Sequence, residues 1–185
     1  RGRALRGPAA RAMTGAASVH ASAVLVGDRA VLIRGPSGAG KSRLAFDLIL
    51  AGRAGQIPPA VLVGDDRVHL EQSGGQLVVR PARELAGLIE VRGLGIFSCD
   101  FTPHAIVGLI VDLAAPDAER LPPPEALRVQ IRGIELPRIP SGIGTSPLPL
   151  VIAALTMTVI SSSPQPSADC PKGIGNHISP TLATE

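Results

Sequence analysis

The segment Gly35-Pro36-Ser37-Gly38-Ala39-Gly40-Lys41-Ser42 satisfies the pattern G-x-x-x-x-G-K-[S/T] at every fixed position. Glycines at this spacing let backbone N–H groups turn inward around phosphate oxygens, where a Cβ would collide. A helix beginning at the end of the segment adds the positive end of its dipole. Lys41 can then reach the outer phosphates as a point charge, and Ser42 can offer its hydroxyl to Mg2+. The chemistry implied is binding of a nucleoside triphosphate; the reaction itself is left open by these residues. The bland alternative is a glycine-rich turn that carries Lys-Ser by chance. The β-branched run before it and the helical spacing after it argue against chance.

Asp65-Asp66 closes a short apolar run, residues 60–63. A carboxylate at a strand end beside a phosphate loop can hold Mg2+ or its water, and two such acids can divide the work between metal and proton. Without the phosphate loop the same pair reads as a solvated turn. Glu90-Val91-Arg92-Gly93-Leu94-Gly95-Ile96 is a third cluster, in which two glycines behind an acid–base pair imply a tight backbone path rather than a plain strand. His20 and Arg120 carry little signal alone: one precedes the first apolar run, the other precedes Pro122-Pro123-Pro124, and each reads as an exposed polar residue.

These groups need a frame. Residues 22–26 and 30–34 are β-branched runs parted by Gly27-Asp28, a hairpin signal. Leu44, Ala45, Leu48 and Ile49 recur at helical spacing, with Gly52 as the expected stop. Residues 60–63 read as a buried strand, and 68–70 and 77–79 as a hairpin around Ser73-Gly74-Gly75. Residues 106–113 are nearly all apolar, the mark of a central strand covered on both faces. Residues 127–131 and 134–136 suggest edge strands, and 148–159 a closing helix. The expected fold is α/β, a P-loop-containing mixed β-sheet with few helices.

The 185 residues correspond to one domain, and 45% apolar content is enough for a packed core. Three Phe with no Tyr or Trp leave no aromatic platform for single-stranded nucleic acid. The net charge of +3 is partly due to arginines near the N-terminus. No apolar run reaches the length of a membrane span. Cys99 and Cys170 stand too far apart in sequence for a metal knuckle or a disulfide framework, which fits a reducing compartment. Residues 1–17 are expected to be a basic flexible extension, with Met13 as a natural start, and 161–185 a disordered Ser/Pro-rich tail holding Cys170 and His177. The folded domain is then 18–160, and the stretch between the first helix and Asp65, with Gly52-Arg53-Ala54-Gly55 and Pro58-Pro59, reads as a surface insertion.

Taken in order, His20, GPSGAGKS, Asp65-Asp66, EVRGLGI and Glu119-Arg120-Leu121 resemble the HPr kinase/phosphorylase family over residues 18–159. The resemblance implies a fold like that of PEP carboxykinase, in the short single-domain form of the family. It implies a cytoplasmic bacterial serine kinase that uses ATP and Mg2+ to phosphorylate the phosphocarrier HPr, assembles as a hexamer, and runs backwards with inorganic phosphate to release pyrophosphate. Carried over by position, Gly35 to Ser42 bind ATP, Lys41 stabilises phosphate charge, and Ser42 and Glu90 hold the metal. Asp66, with Asp65 beside it, takes the substrate proton, and His20 and Arg120 complete the catalytic set. The family's basic loop corresponds to residues 136–142, where Arg138 stands and a second arginine is missing. Two other readings stay open: a small-molecule P-loop kinase, for which only scattered Arg83, Arg92 and Arg120 are available, and a non-catalytic ATP sensor. A GTPase is disfavoured, because no Asn-Lys-x-Asp motif occurs.

Overall fold

Period-two alternation and glycine turns build most of the molecule. The computed structural model describes residues 18–157. The expected basic extension, the tail with Cys170 and His177, and residues 158–160 lie outside the described residues. The chain opens with β1 (Ser18–Val19), β2 (Ser22–Val26) and β3 (Arg29–Arg34), the last two turning at Gly27 with φ +61. Helix α1 (Lys41–Arg53) follows the glycine-rich segment. Then come β4 (Ala60–Gly64), β5 (Val68–Ser73) and β6 (Gln76–Pro81), the short β7 (Leu88–Val91) and β8 (Gly95–Ser98), and the long β9 (Ala105–Leu113). The chain closes with β10 (Arg128–Ile131), β11 (Ile134–Ser141) and α2 (Pro147–Thr156). Neither helix is long and apolar enough to cross a membrane.

Strand β9 is the spine of a mixed sheet ordered β1-β5-β6-β9-β3-β2-β4. One edge of β9 pairs in parallel with β3. Its other edge is shared, with β6 antiparallel at Ala105 and Ile106 and β11 parallel from Ile110 to Leu113. Both faces are buried. Val31 and Ile33 pack with Leu44, Leu48, Val111 and Val151 under the helices, whereas Ala30 and Leu32 face Val68, Leu77, Val79 and Ile110. A register shift leaves Gly108 bulged between Val107, paired with Ala30, and Leu109, paired with Val31. The extra residue moves Val107 and Leu109 to opposite faces.

Four expectations change. Gly52 does not stop α1; it lies inside it, where an added Cβ would come within 2.7 Å of the Ala60 backbone nitrogen, so its task is close packing of helix on strand. The insertion is not purely superficial, since Ile57 is buried and the Gly27 amide donates to the Pro59 carbonyl at 3.0 Å. Residues 90–96 take the expected tight path at Gly93 and Gly95, with φ +89 and +120, but with a strand on either side, as a β7–β8 hairpin turning where Leu94 N–H meets the Val91 carbonyl at 2.9 Å. Residues 136–142 form no basic loop. They lie mostly in β11, which is longer than the expected edge strand and joins the spine.

Candidate active site

The glycine-rich segment connects the end of β3 to the first residue of α1, beside the end of β9. Gly35, at φ +151, packs so closely that an added Cβ would lie 2.9 Å from the Leu113 carbonyl oxygen. Gly38 and Gly40 take φ +79 and +95, turns that L side chains resist. Gly40 is the N-cap of α1, with no side-chain cap and no acid in the first turn. The positive helix end is therefore left for an anion. Lys41 is only 6% exposed and folds back, donating to the Gly35 and Pro36 carbonyls at 3.0 Å each. Burial pulls its ammonium below the ordinary lysine value, while the fields of Asp66 and then Asp65 oppose that pull. A cavity of about 340 Å³ opens against the loop, lined by Pro36 to Ala39, the end of β9 and residues 141–145, none of them charged.

The two aspartates leave β4 in different directions. Asp65 is 3% exposed and spends its carboxylate as a tie, accepting from Ser22 Oγ at 2.5 Å and from the Glu90 backbone N–H at 3.1 Å. One side chain thus joins β2, the end of β4 and β7. The Arg67 N–H donates to the Asp65 carbonyl at 2.7 Å around Asp66, which has φ +64. That is a γ-turn at a non-glycine residue, a strained conformation of the kind held at functional sites. The turn leaves the Asp66 side chain 59% exposed, with its Oδ1 3.2 Å from His20 Nε2. His20 lies in the short connection between β1 and β2.

The structure therefore pairs His20 with Asp66, sets both aspartates within the electrostatic field of Lys41, and ties Glu90 to Asp65 by its backbone, with the Glu90 side chain exposed. Ser42 is the second residue of α1. Mg2+ is tested by this donor set. Among the described residues no three acids or histidines converge as a metal cage. Mg2+ bound in nucleotide sites needs only one or two protein oxygens besides phosphate and water, and the hydroxyl of Ser42 and the exposed carboxylate of Glu90 are oxygen donors of the kind it takes. Arg120 stands apart: it is exposed and forms no ion pair or hydrogen bond with any described residue. Arg138, expected on a loop, is instead half-buried on β11, where it binds Asp112 and Asp117. The hydrogen bond to Asp117 is the main cause that raises the Arg138 guanidinium above its ordinary value, and the same bond lowers the Asp117 carboxyl. Sequence reasoning missed Ser22. The signal was available, since Ser22 shares the inward face of β2 with Val24 and Val26, and a polar group at such a position needs a partner.

Comparison with known proteins bears on the same residues. The family described as HPr Serine kinase C-terminal domain matches residues 11–115, a span that includes His20, the glycine-rich segment, both aspartates and Glu90 but not Arg120. The HPr kinase/phosphorylase of Geobacillus thermodenitrificans is 35% identical over 133 residues, 66% of this chain and 41% of its own length. That of Mycoplasma mycoides is 29% identical over 163 residues, 80% of this chain and 50% of its own. The chain thus spans about half the length of the curated relatives it matches. The solved structure of the Hpr(Ser) kinase/phosphatase from Coxiella burnetii aligns with a TM-score of 0.59 at 30% identity, covering 75% of this chain and 93% of that one. With the mixed sheet, the order of the motifs and more than half of the sequence in agreement, the chain belongs to the HPr serine kinase C-terminal domain family.

Proposed function

We propose that the chain is an ATP- and Mg2+-dependent protein-serine kinase whose substrate is the phosphocarrier HPr or a protein of that kind. The observation that carries this reading is the tie at Asp65, which holds Asp66 outward, opposite His20 and within the field of Lys41. Phosphoryl transfer asks for position and neutralised charge more than for covalent help. The glycine-rich loop and the uncapped start of α1 would cradle the phosphates, and Lys41 would exchange its two loop carbonyls for phosphate oxygens. Ser42 and Glu90 would hold Mg2+, which supplies charge neutralisation at those oxygens. Asp66 would accept the proton of the substrate hydroxyl, with His20 orienting its carboxylate. Arg120, free of partners among the described residues, would lend its charge to the transferred group. The proposal extends to a cytoplasmic homo-oligomer; Leu94, Ile96 and Phe97, exposed on the β7–β8 hairpin, supply apolar surface for assembly.

The kinase direction is favoured over phosphorolysis because Arg138, which stands where the family's basic loop is expected, is engaged by Asp112 and Asp117 and is not free for inorganic phosphate. Incubation with labelled ATP, Mg2+ and purified HPr is expected to yield phosphoserine on HPr. Tight nucleotide binding without any transfer would remove the kinase and leave a sensor. Release of pyrophosphate from phosphoserine-HPr and inorganic phosphate is expected to be the slower reaction in the same preparation.

A further inference from the structure

Arg138 is only 12% exposed at its side chain, and all three guanidinium nitrogens are engaged. Its Nε donates to Asp112 at 2.6 Å, Nη1 to Asp117 at 2.6 Å and to the Ala126 carbonyl at 3.0 Å, and Nη2 to Asp117 at 2.9 Å. Asp117 and Ala126 bracket the segment that carries Arg120, so one side chain closes that segment at both ends. Pro122, Pro123 and Pro124 lie between the brackets and stiffen it further. The other side of the network reaches the phosphate loop: Asp112 also accepts Arg34 Nε and Nη2 at 2.7 Å each, and Arg34 is the residue before Gly35. The covalent and hydrogen-bonded path runs from the brackets of Arg120 through Arg138, Asp112 and Arg34 to the carbonyl that receives Lys41.

Buried ion pairs add little stability over apolar replacements of similar shape; what they supply is a defined geometry. Here the geometry ends at an arginine that has no partner of its own among the described residues. We propose that Arg138 is a positioning residue, a staple that fixes the 117–126 segment, and with it Arg120, at a set place relative to the phosphate loop. This rests on the reading that Arg120 acts on the transferred phosphoryl group. The staple sets the rate of transfer and leaves nucleotide binding to the loop itself.

Asp117 is the place to test it, because its side chain is 47% exposed and its replacement leaves the Arg138–Asp112 pair intact. In the full chain, Asp117→Asn is expected to speed amide hydrogen exchange at Ala118 and Ala126, whose N–H groups donate to the Ala115 and Pro123 carbonyls, by about tenfold while the phosphate loop keeps its protection. Asp117→Glu, which restores a carboxylate, is expected to bring exchange back toward that of the unaltered chain. With HPr and magnesium-ATP, Asp117→Asn is expected to lower kcat by up to about 10²-fold at unchanged KM for ATP, the scale of a misplacement near 1 Å. In an Arg120→Ala background the same substitution is expected to cost nothing more. Unchanged exchange in Asp117→Asn, or a kinetic penalty that persists in full without Arg120, overturns the staple. If Arg120→Ala alone transfers as fast as the unaltered chain, or no transfer to HPr occurs at all, the functional reading falls and takes the staple with it. That failure is distinct, because it shows before Asp117 is touched.

Discussion

The γ-turn at Asp66 sends two adjacent carboxylates to different work, Asp65 inward to Ser22 and the Glu90 amide, Asp66 outward to His20. Substitutions at the two sites should therefore fail in different ways. Asp66→Asn keeps a side chain that tolerates positive φ, so the fold and nucleotide affinity should stay near those of the unaltered chain. Loss of the proton acceptor should slow transfer by about 10²- to 10⁴-fold, read by calorimetry with magnesium-ATP alongside the HPr assay. Transfer that survives this change would remove Asp66 as the base. Asp65→Ala strands the buried Ser22 hydroxyl and should cost about 1–3 kcal/mol in urea unfolding before any kinetic effect is counted. At this scale the motif residues were legible because their types and spacing carry chemistry directly. The unequal roles of the aspartates were not, because which of two neighbours turns inward depends on Ser22 and Glu90, far away in sequence.

At the scale of elements, the phosphate loop is shaped as much by what lies under it as by its own glycines. Gly35 faces the Leu113 carbonyl, so Gly35→Ala must push the loop off the end of β9. Gly38→Ala meets open space and bears only backbone strain of about 1–2 kcal/mol. Calorimetric titration with magnesium-ATP should show the larger loss of affinity for Gly35→Ala; equal losses would mean that the seat on Leu113 does not matter. Most elements were readable from alternation and turn chemistry. The alternation marks strand β11 only over 134–136, and Pro137 and Pro140 argue against extending it. It survives because residues 134–137 pair only with β10 and 138–141 only with β9, so each half has an open edge for a proline. The β7–β8 hairpin escaped because its glycines mask a strand of only four residues on each side.

Across the whole molecule, the parallel contacts of β9 with β3 and β11 bring Arg34, Asp112 and Arg138 together from three distant stretches, which no local pattern announces. The network makes stability depend on pH with a definite sign. Burial pushes the Asp112 carboxyl up, but hydrogen bonds from Arg34 and Arg138, reinforced by their charges, outweigh it and hold the carboxyl below its ordinary value. A carboxylate depressed in the fold adds stability that is complete above its unfolded value, about 3.9, and is lost as pH falls through the folded one. Asp112→Asn removes the charge while leaving two guanidinium groups behind. At pH 7 this should cost about 3 kcal/mol, the low end for breaking a buried pair, because Asp112 retains 15% of its surface in solvent. Above pH 5 the gap between the two chains in urea unfolding should hold constant, and below about pH 4 it should narrow as the native carboxylate protonates. A gap that stays constant into acid would mean that Asp112 is bound by shape and not by charge, and the path from Arg138 to the phosphate loop would lose its electrostatic link.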